Sequence, residues 1–214
     1  MPEFDIGSLI RTLVLSAPAI LFGLTIHEFS HGWVAWRLGD PTARSQGRLT
    51  LNPLKHLDPI GTVFLFLFRF GWAKPVPIDP TYFRHPDRDM AISSLAGPAS
   101  NLLTAGIAGL IVRLMTLLGV SGFPVALFDF FVLFNLILCF FNLIPIPPLD
   151  GSRLVYYFLP AHLATGYARL ERYGFMILIG LIFVGRLLGF SLVWAVLGPP
   201  VRLFSSLFSG HSLI

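Results

Sequence analysis

The chain has 214 residues, of which 55% are hydrophobic and only 12% are charged, and its mean hydropathy is +0.76. This composition excludes an ordinary soluble domain and indicates a multi-pass integral membrane protein. The net charge of +4 comes from basic residues that stand singly between apolar segments, which argues against a nucleic-acid partner. The single cysteine, Cys139, excludes an intramolecular disulfide framework and is expected to serve packing.

The first apolar segment runs from about Ser8 to Leu38 and is long enough to span a membrane. The N-terminus lacks the basic region of a signal peptide, so we expect the segment to be retained. It contains the motif His27-Glu28-Phe29-Ser30-His31. In a helix, residues four apart share a face, so both imidazoles can hold one metal ion while Glu28 reaches its bound water.

The two histidines of this motif could instead make hydrogen bonds within a helical core, and the motif alone leaves this alternative open. Their depth argues against it. His27 lies about ten residues before the end of the segment, which at about 1.5 Å per residue puts it roughly 15 Å from the membrane surface. Ionisable groups at such a depth are costly and usually functional.

The sequence from residue 40 to residue 89 is mixed, with basic residues among prolines and glycines. Arg48–Leu51 and Lys74–Ile78 are predicted to be short extended pieces, the second limited to a sheet edge by its prolines. Val63–Phe68 is too short to span alone and is predicted to be re-entrant or interfacial. We therefore expect a small membrane-associated β or re-entrant element between the first two spans.

Two further spans are predicted in the middle of the chain. The second runs from about Met90 to Leu118 and contains Ala96–Asn101, which either serves close helix packing or positions the active site. The third begins near Val125 and runs into Asn142–Gly151, where three prolines in four residues must break the helix. Broken backbone at membrane depth is tolerated where protein or a water-filled cavity surrounds it, and a ligand site is expected there.

A catalytic zinc usually has three protein ligands and one open position for water, so a third ligand beside His27 and His31 is required. Asp150 is the strongest candidate because it follows the proline break and ends a second membrane segment. The alternative role for Asp150 is N-capping of the helix that follows it.

The C-terminal part is predicted to hold one more span, from about Tyr173 to Leu197, interrupted at Gly185-Arg186. Arg186 is expected to snorkel or to divide this span into two half-helices, with a functional role as the alternative. From Val201 onwards an amphipathic tail is expected at the surface. The predicted fold is an all-α polytopic membrane protein with about four to five transmembrane helices, forming a single domain over residues 1–214 with a core at about residues 8–160.

The motifs, taken together, resemble those of the site-2 protease family of intramembrane zinc metalloproteases. His-Glu-Phe-Ser-His at 27–31 matches the helix motif of that family, and Asn142–Gly151 matches its Asn-x-x-Pro-x-Pro-x-x-Asp-Gly motif. Gly97–Asn101 is similar to the Gly-x-x-x-Asn element between them. The resemblance covers roughly Leu13 to Leu154 and is to a compact form, without an inserted PDZ domain or an appended regulatory domain.

The resemblance implies an enzyme that hydrolyses peptide bonds within or near transmembrane segments of membrane proteins. His27, His31 and Asp150 would bind one zinc ion per chain. Glu28 would act as general base toward zinc-activated water and then as general acid. Asn142 would help to stabilise the oxyanion.

Two further residues are candidates for supporting roles. Asn101 belongs to the element similar to Gly-x-x-x-Asn, and His56 is expected to have a structural or gating role rather than a chemical one. The substrate helix must unwind before attack, and it could add as an extended strand beside the pieces near Leu49 or Val76.

Two other functions stay open at this point: a membrane metal transporter or sensor that uses the same His and Asp residues, and a non-catalytic scaffold that binds membrane helices. Transporters usually show repeated halves, which this sequence lacks, and a scaffold leaves the zinc, base and oxyanion residues unexplained. The expected location is a prokaryotic plasma membrane, with the active site nearer the cytoplasmic side because basic residues concentrate between the first two spans. The expected partners are the lipid bilayer and a transmembrane-helix protein substrate.

Overall fold

The structure, a computed structural model, describes residues 5–61, 63, 71–187 and 191–214. The described helices are, in chain order, α1 (Ile6–Arg37), α2 (Thr42–Ser45), α3 (Pro86–Leu117), α4 (Phe123–Asn142), α5 (Asp150–Phe158), α6 (Ala161–Ala168), α7 (Gly174–Leu187) and α8 (Leu192–Ser209). Short 3-10 turns occur at Pro53–Lys55, Pro80–Tyr82 and Arg169–Tyr173. The predicted all-α class is confirmed.

Among the described residues, four segments are long and apolar enough to cross a membrane: Ile10–Arg37, Pro86–Leu117, Phe123–Asn142 and Leu192–Ser209. The first three correspond to the first three predicted spans. They pack against one another, and α8 packs against α3 and α4. The hydrophobic core lies between these helices, where Ala105 of α3, Leu136 of α4 and Val201 of α8 are almost fully buried.

The C-terminal span, for which a division into two half-helices near Gly185-Arg186 was one expectation, is divided a few residues later in the structure and extends beyond its predicted end at Leu197. The structure has two helices in this region, α7 ending at Leu187 and α8 beginning at Leu192, where the Ser191 hydroxyl accepts a hydrogen bond from the Trp194 amide and caps the new helix. The predicted surface tail from Val201 onwards is wrong, because α8 continues to Ser209. Residues at intervals of four along α8 are buried, as expected for a helix with one face on the bundle; they are Leu197, Val201, Ser205 and Ser209.

The predicted β element does not form within the described residues, which contain one isolated antiparallel bridge, between Leu57 and Ala73. The predicted re-entrant segment Val63–Phe68 lies outside the described residues except for Val63. Lys74–Ile78 cannot make a regular ladder because two of its five residues are prolines without an N–H group.

The directions of α1, α3 and α4, which pack against one another, determine where the site forms. α1 and α4 run in one direction and α3 in the other, so the end of α1, the start of α3 and the end of α4 meet at one end of the bundle, here called the site end. α5 begins at Asp150 immediately beyond the site end and packs against α3. At the opposite end, here called the cap end, Arg113 of α3 contacts the last carbonyls of α8.

Candidate metal centre

The His27–His31 motif lies in the second half of α1, with all its chemically important side chains buried. His27, Glu28 and His31 are 4%, 8% and 6% exposed. One helical turn separates the two imidazoles, whose ring centroids are 4.5 Å apart with an edge-to-face arrangement. Their Nε2 atoms lie 3.0 Å apart, so both rings present the same nitrogen to one point.

Asp150 joins the two histidines from the far side of the proline-rich loop. Its Oδ2 atom lies 3.2 Å from His27 Nε2 and 3.3 Å from His31 Nε2. The loop can turn back because residue 151 is glycine: a Cβ there would lie 2.3 Å from the Leu143 carbonyl oxygen. The alternative role of Asp150 as an N-cap is wrong, since Leu149 occupies the N-cap position and Asp150 is the first residue of α5.

Both imidazoles are fixed in one tautomer by their other ring nitrogen. His31 Nδ1 lies 2.7 Å from the Ser93 carbonyl oxygen, and His27 Nδ1 lies 2.6 Å from Asn101 Oδ1. The Asn101 amide nitrogen donates to the Gly23 carbonyl, which identifies Oδ1 as the atom facing His27. The Ser93 carbonyl oxygen and the Asn101 amide oxygen can only accept hydrogen bonds, so each Nδ1 carries the ring hydrogen. Each neutral ring therefore has its lone pair on Nε2.

The three converging atoms fit a bound cation. Two nitrogen lone pairs and a carboxylate oxygen that face one another repel unless a positive charge lies between them. In a tetrahedral zinc site with bonds of about 2.0–2.2 Å, neighbouring ligand atoms are about 3.3–3.5 Å apart, close to the separations of 3.0, 3.2 and 3.3 Å found here. Zinc-binding histidines usually donate their second ring N–H to a carbonyl or carboxylate, as both rings do here.

Asp150 has the properties of a metal ligand rather than of a hydrogen-bonded surface group. Its Oδ2 is buried and has no hydrogen-bond partner within the described part of the chain. A carboxyl group binds a metal as its anion, so an Oδ2 atom that faces two imidazole nitrogens without accepting a hydrogen bond fits a ligand atom.

Helix α3 makes room for the two imidazoles at Gly97. A Cβ at this position would lie 2.3 Å from His31 Nε2 and 2.7 Å from His27 Cε1. Ser93 and Asn101, the two acceptors of the ring N–H groups, lie one helical turn before and after Gly97. The predicted close packing of this stretch is therefore directed at the metal site itself.

The Glu28 carboxylate is held by a backbone amide. Glu28 Oε2 accepts a hydrogen bond of 2.8 Å from the Val76 N–H. Val76 stands between Pro75 and Pro77, which have no N–H group, so it provides the one backbone donor of these three residues. The bond fixes one carboxylate oxygen and leaves lone pairs on the group for a proton.

The remaining predicted residues make local contacts. Asn142 ends α4, and its Nδ2 donates to the Leu138 carbonyl over 2.9 Å. Buried His56 donates from Nε2 to the Thr50 carbonyl, and its own carbonyl accepts from the Lys74 amide. His56 thus links two loops and lies outside the His27, His31 and Asp150 cluster, which is the group of close metal donors found in the described residues. The roles predicted for Asn142 and His56 stay predictions.

The comparison with known proteins identifies the family. The sequence profile of peptidase family M50 matches residues 118–185, which include Asn142 and Asp150. A Bacillus subtilis protein named "Putative zinc metalloprotease YwhC" is 38% identical over 211 residues, which cover 94% of each of the two chains. This chain belongs to peptidase family M50. As an M50 member with this donor set, it has Zn²⁺ as its cofactor, and the four long apolar helices in the described part of the chain identify an integral membrane protein.

Other M50 relatives match over shorter ranges. The protein named "Putative zinc metalloprotease Rip2" of Mycolicibacterium smegmatis is 30% identical over 187 residues, or 84% of this chain and 71% of the relative. The protein of the same name from Mycobacterium tuberculosis is 36% identical over 138 residues, or 61% of this chain and 52% of the relative. No solved structure matches the chain.

Sequence reasoning missed three partners of the site. The Ser93 carbonyl and the Val76 N–H are backbone groups, for which the sequence contains no signal. The third is Asn135 of α4, whose Oδ1 accepts from the Asn101 amide. Its signal was available, because an amide side chain inside an otherwise apolar span requires a hydrogen-bonding partner.

Proposed function

We propose that this M50 member is a zinc-dependent intramembrane endopeptidase that hydrolyses peptide bonds within or near transmembrane segments of membrane proteins. One observation supports this more than any other. Three donor atoms lie 3.0–3.3 Å from one another: His27 Nε2, His31 Nε2 and Asp150 Oδ2. The buried side chain of Glu28 belongs to the residue that follows His27. Metal-assisted peptide hydrolysis needs both of these parts, a metal with an open position and an adjacent base.

Each residue has a separate task in this reaction. His27, His31 and Asp150 hold the metal ion. Bound zinc would supply a Lewis acid that polarises the substrate carbonyl and acidifies a water molecule. Glu28 takes the proton from the attacking water and delivers it to the leaving amine. The side-chain amide of Asn142 has two hydrogens, one of which bonds to the Leu138 carbonyl. The other is donated to the developing oxyanion.

The depth of the donors supports a bond inside the bilayer as the target. His31 lies six residues before Arg37, the last residue of α1, which at about 1.5 Å per residue is roughly 9 Å from the helix end. The surrounding helices α1, α3 and α4 are all candidate membrane spans. The basic residues between α1 and α3 support a cytoplasmic location for the site end.

The substrate would bind as an extended segment beside the loops that cover α1. A Cβ at Gly32 would lie 3.6 Å from Leu49 Cδ1 and 3.9 Å from Val76 Cγ1, so both loops pack against α1 directly after His31. The Val76 N–H is engaged by Glu28, and a strand that paired with it would break this bond. We therefore favour the segment near Leu49 for strand addition.

The test compares Glu28→Gln with wild type in zinc content and in cleavage of a transmembrane substrate in liposomes. Glu171→Gln is the matched control, because it makes the same chemical change at a half-exposed glutamate that pairs with Arg153 at the surface. We expect about one zinc per chain in all three proteins. Cleavage should fall by about 10²–10⁴ in Glu28→Gln, since a general base is lost, and stay unchanged in Glu171→Gln.

Retained cleavage in purified Glu28→Gln would overturn the role of Glu28. Absence of cleavage by wild type, together with zinc uptake into liposomes at equal rates by wild type and Glu28→Gln, would replace the peptidase proposal with a transporter. A wild-type protein that binds no zinc would overturn the metal centre itself.

A further inference from the structure

A series of hydrogen bonds leads from the middle of α4 to the metal centre. Asn135 is fully buried in α4, and its Nδ2 donates to the Phe131 carbonyl, one turn earlier, over 2.9 Å. Its Oδ1 accepts from Asn101 Nδ2 over 2.9 Å. Asn101 Oδ1 in turn accepts from His27 Nδ1 over 2.6 Å. Two side-chain amides therefore separate a backbone carbonyl of α4 from a zinc-binding ring.

Backbone carbonyls determine the direction of every bond in this series. The Phe131 and Gly23 carbonyl oxygens can only accept, so the nitrogen of Asn135 must face Phe131 and a nitrogen hydrogen of Asn101 must face Gly23. The second nitrogen hydrogen of Asn101 then meets the oxygen of Asn135. If the Asn101 amide were reversed, its oxygen would face the Gly23 carbonyl oxygen and Asn135 Oδ1, and no hydrogen bond could form with either.

The orientation of Asn101 determines which nitrogen of His27 can bind the metal. In the observed orientation His27 Nδ1 donates, and a neutral ring keeps its lone pair on Nε2. With the amide reversed, Nδ1 would have to accept from Asn101, and the hydrogen of the neutral ring would lie on Nε2. That ring could not bind a metal through Nε2.

The Asn135 amide is buried beside apolar residues of α4. Its neighbours on α4, Val132 and Leu136, are also fully buried and are apolar. Burying an amide among such residues costs free energy unless its hydrogen bonds are made. α1 approaches closely here, because Gly23 places no side chain against the Asn135 amide: a Cβ on Gly23 would lie 3.0 Å from Asn135 Oδ1.

We infer that Asn135 is a positioning residue of the metal centre: by accepting from Asn101, it holds His27 in the tautomer that binds metal through Nε2. The inference rests on the proposed zinc site and assigns to α4, which carries none of the three ligands, a part in metal affinity. It predicts that Asn135 affects zinc binding only through Asn101.

The experiment measures the zinc dissociation constant of the full chain in detergent by competition with a chelator, and the thermal unfolding of the metal-free protein. Asn135→Ala removes the acceptor, and Asn135→Ser, which is too short to reach Asn101, is measured beside it in case the alanine variant does not fold. Val132→Ala is the matched control, a truncation at a fully buried position of the same helix. We expect both Asn135 variants to raise the dissociation constant about 10–100-fold, and Val132→Ala to lower thermal stability without changing zinc affinity.

A double-mutant cycle tests the route through Asn101. In Asn101→Asp both side-chain atoms facing His27, Gly23 and Asn135 are oxygens, so no amide orientation is left to be fixed. Adding Asn135→Ala to this variant should change zinc affinity by less than about twofold. An equal loss of affinity in both backgrounds would overturn the inference, as would Asn135→Ala or Asn135→Ser protein that folds and binds zinc like wild type. If wild type itself binds no zinc, the proposed metal centre fails as well, so the two failures are distinguishable.

Discussion

Each end of the helix bundle has an aspartate oxygen 3.2 Å from a histidine Nε2 atom, but the two ends differ in the number of donor atoms and in the burial of the histidines. At the site end His27, His31 and Asp150 bring three donor atoms to within 3.0–3.3 Å of one another. At the cap end His211 Nε2 lies 3.2 Å from Asp129 Oδ1, and the His211 side chain is 48% exposed. No third donor joins this second pair within the described residues.

The difference between the ends lies in what surrounds the donors. At the site end each ring nitrogen that does not face the metal donates to a fixed acceptor, from Asn101 or from Ser93, so the lone pairs are oriented before a metal arrives. At the cap end a half-exposed imidazole pairs with one carboxylate, which is an ion pair when the ring is protonated. A metal centre therefore requires the buried acceptors as much as the ligands themselves.

The largest expected effect comes from making the same change at the two aspartates. Asp150→Asn removes an anionic ligand and should weaken zinc binding by more than about 100-fold, since loss of a second-shell partner alone costs about 10–100-fold. Asp129→Asn should leave zinc affinity within about twofold of wild type, because it lies at the other end of the bundle. Chelator competition on the purified variants measures both values. Comparable losses in the two variants would mean that the ends are not independent.

A second pair of variants, both on α3, sharpens the comparison at Gly97. In Gly97→Ala the new methyl group would lie 2.3 Å from His31 Nε2, so the ring must move and zinc affinity should fall about 10–100-fold. Gly106→Ala is the control, because the nearest atom to its Cβ, in Phe208, is 3.8 Å away. Alanine favours a helix interior over glycine by about 0.5–1 kcal/mol, so this control should be as stable as wild type or more so. Unchanged zinc affinity in Gly97→Ala would contradict the close approach of α3.

The sequence predicts the ligands of the site better than their support. His27 and His31 follow from helical periodicity, and Asp150 follows from the proline break before it, so local patterns were sufficient to select residues that the structure brings together. The Ser93 carbonyl and the Val76 N–H are different. Every residue except proline has a backbone N–H and a backbone carbonyl, so the sequence does not distinguish the groups that contact the site. The packing of segments distant in sequence determines which of these groups do so.

The fold was predictable from the sequence where a long apolar run was the dominant pattern, and less so where a local helix cap competed with it. The first three spans follow from long apolar runs. In the C-terminal region the apolar run continues across Ser191, but the local cap at Ser191 begins a new helix there. The sheet predicted at Lys74–Ile78 does not extend beyond the single Leu57–Ala73 bridge within the described residues, because Val76 donates its N–H to Glu28 and the prolines on either side have none.

The smallest expected effect is at the cap end, where Arg113 closes α8. Its guanidinium donates to the Phe208 and Leu207 carbonyls over 2.8 and 2.7 Å, which places a cation on carbonyls that have no partner within their helix. Arg113→Gln should therefore lower the free energy of unfolding by about 1 kcal/mol, or the melting temperature by about 2–4 °C, with zinc affinity unchanged. Arg153→Gln is the control, because it breaks an exposed ion pair with Glu171 that contributes about 0–1 kcal/mol. A loss of zinc affinity in Arg113→Gln would show instead that the cap end is coupled to the metal centre through α3, the one helix on which Arg113, Gly97 and Asn101 all lie.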